Sequence, residues 1–165
     1  MAAHAASHRG IANVYKRILV PLEHSAYDEA ILDHVRSLAQ YCKSELILIH
    51  VADGWAARNI HSLDLRESEE IQEDRAYLEG VAAGLERDGF ETDAILASGD
   101  PVREIAAAAQ REQCDLIAMS THGHRFFSDL FYGSVAESLR HRCTIPILLV
   151  RGSKSGKTDE HRVVS

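Results

Sequence analysis

The sequence predicts an α/β protein, an open, doubly wound, five-stranded parallel sheet with helices on both faces. Three observations predict it. Short apolar runs alternate with stretches whose apolar residues recur at helical spacing. The Leu46-Ile47-Leu48-Ile49-His50-Val51 run is apolar almost without alternation, as in a strand covered on both faces. The chain has 165 residues, 45% hydrophobic and 26% charged, which suits one globular domain with a full core.

Each element has its own signal. Ile18-Leu19-Val20-Pro21 makes the first strand. Ser25 stands where an N-cap belongs, and Ile31, Val35, Leu38 and Cys42 line one face of the helix that follows. The Leu46–Val51 run is the second strand, and a long loop from Asp53 to about Ser68 leads to a helix beginning near Glu67. That helix carries an Ile71, Leu78, Val81, Leu85 stripe and stops at Gly89. The carboxylates of its first turns, Glu67, Glu69, Glu70, Glu73 and Asp74, read as a solvated face near the positive helix end.

Thr92 to Ser98 is a weaker strand, expected at an edge. Gly99-Asp100-Pro101 supplies a turn, an N-cap and a first-turn proline for a third helix, whose inner face is Val102, Ile105, Ala106 and Ala109. Leu116-Ile117-Ala118-Met119 is the fourth strand, and Ser120 to Tyr132 a loop. Gly133-Ser134 opens a fourth helix, with Glu137 placed as in a capping box and Arg140, His141 and Arg142 in its last turn. Pro146-Ile147-Leu148-Leu149-Val150 is the fifth strand. Residues 1–13 read as a flexible arm, 14–151 as the domain and 152–165 as a disordered tail. Strands alternating with helices imply right-handed crossovers. A doubly wound sheet binds its ligands where the winding reverses, at the carboxyl ends of the first and fourth strands.

Composition narrows the function. Eighteen Lys and Arg against 25 Asp and Glu give a formal charge of −7, which argues against a nucleic-acid partner. No apolar run is long enough for membrane insertion. Cys42, Cys114 and Cys143 form neither a disulfide framework nor a zinc pattern, and read as small apolar residues in a reducing compartment. No leader pattern precedes them, so the cytoplasm is the expected address.

The stretch from Met119 to Val135 carries the chemistry. Gly123 and Gly133-Ser134 frame nine residues between a strand end and a helix start. Glycine lets backbone approach a phosphate, and a helix N-terminus offers free N–H donors with positive partial charge. Taken alone, the two glycines make either turns or a phosphate cradle. Gly152-Ser-Lys-Ser-Gly156-Lys157-Thr158 imitates a P-loop but has one residue too few and no room for its helix. His122 and His124 lack a third ligand at metal spacing, and Phe126, Phe127, Phe131 and Tyr132 read as packing residues.

The loop resembles the nucleotide-binding motif of the universal stress protein family, G-x-x-G, nine residues, then Gly followed by Ser or Thr. Gly123, Gly133 and Ser134 match it. I-L-V-P, L-I-L-I-H-V, G-D-P, C-D-L-I-A-M-S-T-H-G, G-S-V-A-E-S-L and I-P-I-L-L-V-R agree in order, from about Val14 to Arg151. The resemblance implies a Rossmann-like, adenine nucleotide alpha hydrolase-like sheet in the order 3-2-1-4-5. It also implies ATP carried with Mg²⁺ or Mn²⁺, the divalent ion held by phosphates and by no protein metal site. Pro21, Leu22 and Glu23 would then flank the adenosine and Val51 touch the base. Met119 and Ser120 would lie beside the ribose, and Gly123, His124, Arg125, Gly133, Ser134 and Val135 around the phosphates. Arg125 is either a phosphate partner or an exposed loop residue. Two positions depart from the family. Ser120 stands for the first loop glycine, and Glu23 for the aspartate of P-x-D-x-S.

The function expected is a nucleotide-dependent sensor or regulator in stress response, with no catalytic residue visible and at most slow ATP hydrolysis. A homodimer through Pro146, Ile147, Leu148, Leu149 and Val150 is implied by the family and by an apolar edge strand. The alternative is a dimeric interaction module without nucleotide, serving a regulatory partner such as a transporter or kinase. A third reading, an adenine-nucleotide hydrolase or transferase, lacks an added catalytic group.

Overall fold

The computed structural model describes residues 14–53, 64–122 and 132–152. Its elements are β1 (Arg17–Leu22), α1 (Asp28–Cys42), β2 (Glu45–Asp53), α2 (Asp64–Arg87), β3 (Thr92–Gly99), α3 (Pro101–Arg111), β4 (Leu116–His122), α4 (Tyr132–Arg142) and β5 (Ile147–Gly152). All strands are parallel, in the order β3-β2-β1-β4-β5. The weak third strand is at one edge and the fifth at the other, as the sequence predicts.

Alternation along the strands divides the core into two layers. Ile18, Val20, Leu22, Leu46, Leu48 and Ala118 face α1 and α2, meeting Ile31, Val35, Leu78 and Leu85. Leu19, Ile47, Ile49, Ile117 and Met119 face α3 and α4, meeting Ile105, Ala109, Val135 and Leu139. With helices on both faces, β1, β2 and β4 bury both sides. This is why their sequences show no polar alternation.

Several boundaries move, each for a local reason. α1 begins at Asp28 rather than after a Ser25 cap, and Tyr27 at its N-cap makes no side-chain cap bond. The Asp28 carboxylate instead collects the backbone N–H groups of Glu23 and Ser25. α2 begins at Asp64, three residues before the expected start, and ends ahead of Gly89, whose φ of 92° suits only glycine well. Asp100 caps α3 as expected, accepting from the Arg103 N–H at 2.9 Å with Pro101 behind it.

β4 runs on through Ser120, Thr121 and His122, which the sequence reading assigned to a loop. α4 starts at Tyr132, so Ser134 is its third residue and not the cap of a capping box. β5 runs from Ile147 to Gly152. Pro146 lies just outside it, its carbonyl accepting from Ile117 N–H. Gly152, expected in the tail, closes β5 against Tyr27, and a Cβ there would meet that ring at 3.0 Å. Packing therefore explains this glycine without a phosphate. The arm at 1–13, the P-loop-like residues from 153 on and any turn within 126–130 lie outside the described residues.

Cys42 and Cys114 are buried and Cys143 half-buried, all as free thiols. Burial pushes the Cys114 thiol up to about 11, which suits a packing residue rather than a nucleophile. No helix among the described residues is long and apolar enough to cross a membrane.

Candidate functional site: the crevice between β1 and β4

The winding reverses between β1 and β4. β1 pairs with β2 along all six of its residues, from Arg17↔Glu45 to Leu22↔His50. Its ladder with β4 covers only Ile18↔Leu116 and Leu19↔Ile117. Beyond those pairs no register joins the two strands, and their carboxyl ends are where an open α/β sheet of this winding receives a ligand.

The residues expected at the adenosine sit differently about these strand ends. Pro21 and Leu22 end β1, both buried, and the Leu22 side chain belongs to the α1/α2 core layer, so its backbone is what borders the candidate site. Glu23 follows, half-buried. Burial first and the Asp28 charge second push its carboxyl up to about 7, while the Ser25 hydroxyl opposes the shift. Val51 is half-buried in β2 and joins Met119 and Val135 in the α3/α4 layer. The structure thus brings Val51, Met119 and Val135 together on one face, beside the ends of β1 and β4.

Ser120 is 1% exposed in β4, paired in register with Val150. Its φ is not in the left-handed region, where among the described residues only His24, Lys43 and Gln113 lie outside glycine. Glycine is therefore not needed for the backbone at this departure from the family motif. Gly133 and Ser134 sit in the first turn of α4, Ser134 exposed and Val135 buried. Gly123, His124 and Arg125 lie outside the described residues. Among the described residues no three His, Cys, Asp or Glu side chains converge as a metal site would require.

Sequence reasoning missed the polar residues behind Glu23. Asp28 is 1% exposed, and its carboxylate accepts from Glu23 N–H at 3.0 and 3.2 Å, Ser25 N–H at 3.0 Å and Tyr77 O–H at 2.7 Å. Burial and that bond raise the Tyr77 hydroxyl far above its ordinary range. His24 has φ 58°, stacks on Tyr77 with ring centroids 4.1 Å apart, and meets Asp74 Oδ1 through Nδ1 at 2.8 Å. His50 meets the other oxygen of Asp74 through Nε2 at 3.2 Å and the Leu22 carbonyl through Nδ1 at 2.9 Å.

Asp74 therefore does not belong to a solvated face; it is 8% exposed. A signal existed, since Asp74 lies three residues after Ile71 and four before Leu78, on the apolar stripe itself. Asp28 and Tyr77 are 49 residues apart, and no local pattern joins them.

The profile of the Universal stress protein family matches residues 14–151. Universal stress protein MJ0577 of Methanocaldococcus jannaschii is 31% identical over 159 residues, covering 86% of this chain and 98% of that protein. A solved structure of MJ0577 superposes with a TM-score of 0.74 at 30% identity, covering 86% of this chain and 99% of that one. A universal stress protein in complex with cAMP superposes at 0.61 with 19% identity over 84% of this chain and 98% of its own. One from Archaeoglobus fulgidus in complex with dAMP superposes at 0.57 with 19% identity over 82% and 98%. At that identity the last two establish shared architecture. By its profile match and its relatives, the chain belongs to the universal stress protein family.

Proposed function

We propose that this protein is an adenine-nucleotide-binding sensor of the stress response, with ATP as its ligand in the β1/β4 crevice. The single observation that carries the reading is the end of the β1/β4 ladder after two paired positions, with Glu23 half-buried just beyond β1. Structural relatives described as bound to cAMP and dAMP support the ligand class. Pro21, Leu22, Glu23 and Val51 take the adenosine, Met119 and Ser120 border the ribose, and the phosphates sit at Gly123, His124, Arg125, Gly133, Ser134 and Val135. Mg²⁺ or Mn²⁺ arrives on the phosphates.

Glu23 accepts a hydrogen bond from adenosine once ionised, and the positive end of the α4 dipole favours phosphate charge. Binding biases a surface read by a regulatory partner. Hydrolysis is at most slow and incidental to the sensing role. The protein works in the cytoplasm, in keeping with its free thiols, and as a homodimer through β5.

Equilibrium dialysis against ATP, ADP, AMP and cyclic nucleotides tests the reading. Saturable ATP binding that Gly133→Asp abolishes is the expected result. Retained binding in that variant overturns the loop assignment, and no adenine-nucleotide binding at all leaves the dimeric interaction module. That second reading is favoured by Glu23 and Ser120, where the family motif has Asp and Gly.

A further inference from the structure

Behind the adenosine side of the crevice, a buried polar relay joins β1, β2 and the turn after β1 to α2, a helix that supplies none of the predicted ligand contacts. Its hydrogen count does not close without an extra proton. The Leu22 carbonyl can only accept, so the His50 Nδ1 at 2.9 Å carries a hydrogen. A neutral imidazole then leaves Nε2 as an acceptor. Yet Nε2 lies 3.2 Å from Asp74 Oδ2, itself an acceptor, with both residues nearly buried. Two acceptors at that distance out of water repel unless a hydrogen lies between them. Asp74 Oδ1 meanwhile takes His24 Nδ1 at 2.8 Å.

We infer that a proton shared by His50 Nε2 and Asp74 Oδ2 latches α2 to the end of β1 and so holds the adenosine side of the nucleotide crevice in its binding shape. Asp74 is then a positioning residue, gripping the strand end through His50 and the turn through His24, while Tyr77 grips the same turn through Asp28. The groups facing the bridge among the described residues are His24 on the turn and Tyr77 on α2, with Asp28 of α1 beyond Tyr77 and Glu23 on the same turn. β3 sets only Leu96 beside His50 in register. The turn needs holding, because His24 sits in left-handed backbone that a non-glycine residue adopts at a cost.

The effect on nucleotide rests on the function proposed above; the latch itself does not. Asp74→Asn separates the two. Asparagine keeps an oxygen for His24 Nδ1 and offers an N–H to a neutral His50 Nε2, so it closes the relay without the proton. Asp74→Ala opens it at every pH. The experiment is a thermal melt of the natural protein, Asp74→Asn and Asp74→Ala from about pH 6 to about pH 9, without ligand, with calorimetric ATP binding at neutral pH.

The expected result is a natural-protein Tm that falls by several degrees relative to Asp74→Asn as the pH rises. Parallel curves for the two overturn the shared proton. Asp74→Ala is expected to bind ATP about tenfold more weakly, and unchanged affinity overturns the positioning role. If Asp74→Ala does not fold, His50→Phe, which keeps a ring and removes the nitrogen facing Asp74, carries the same expectation and the same refutation. If the natural protein binds no ATP, the function proposal fails while the melting curves still decide the latch.

Discussion

Glu23 shows how one methylene and one neighbour set the behaviour of a site. It follows the first strand with its carboxyl half-withdrawn from water and Asp28 at its back, which pushes it up to about 7 from 4.5. A carboxyl that keeps its proton longer in the folded chain gives the folded state more bound protons between those two values. The stability gained from the neutral form is complete below about pH 4.5 and lost as pH rises through about 7. Without nucleotide, Glu23→Gln is therefore expected to abolish this decline. The variant should match the natural protein in acid and exceed it at pH 8 by about 1–2 kcal/mol, allowing for Glu23's partial exposure to solvent. Urea unfolding of both proteins across the pH range checks it. At the far edge of the sheet, Gly152→Ala is expected to cost about 1–3 kcal/mol, because the new methyl enters the Tyr27 ring at 3.0 Å. Chemical denaturation measures that, and adding Tyr27→Ala should recover part of the loss.

At the scale of elements, local rules explain the helices best where the chain closes its own hydrogen bonds. Asp100 and Pro101 begin α3 as read, and Asp100→Ala should cost about 1 kcal/mol in a denaturant titration. α1 ends on Lys43 in left-handed backbone, φ 55°, its N–H bonded to Ala39. Lys43→Gly is expected to raise stability by about 0.5–1 kcal/mol in the same assay. The strands and the apolar stripes of the helices were legible because burial imposes a period on the sequence. The start of α1 was not, since its first residue, Asp28, turns back to bind the N–H groups of Glu23 and Ser25 and so fixes the turn ahead of the helix without any side-chain cap. For the candidate site, the proposal of Pro21, Glu23, Met119, Ser120 and Val135 came from motifs that adjoin strand ends. Asp28, His50, Asp74 and Tyr77 were not read as a group. They meet only after the chain has folded across α1, β2 and α2, and Asp74 alone lay on a stripe that betrayed its burial.

For the whole molecule, two edges and one cleft set what the fold can do. β3 closes one edge with a partly exposed strand. β5 offers the other, with Leu149 49% exposed among the half-buried Ile147, Leu148 and Val150. An apolar edge of that kind favours pairing with a second copy. Leu149→Arg is therefore expected to shift the protein from dimer to monomer in sedimentation, whereas a natural protein that is already monomeric contradicts the β5 interface. The proposed cleft follows from topology, because the winding reverses between β1 and β4 and their carboxyl ends adjoin there. A crystal of the protein soaked in ATP tests that claim most directly. The nucleotide should lie between the ends of β1 and β4, its adenosine against Pro21–Glu23 and its phosphates at the start of α4. A crevice left empty, or ATP bound elsewhere, would contradict it.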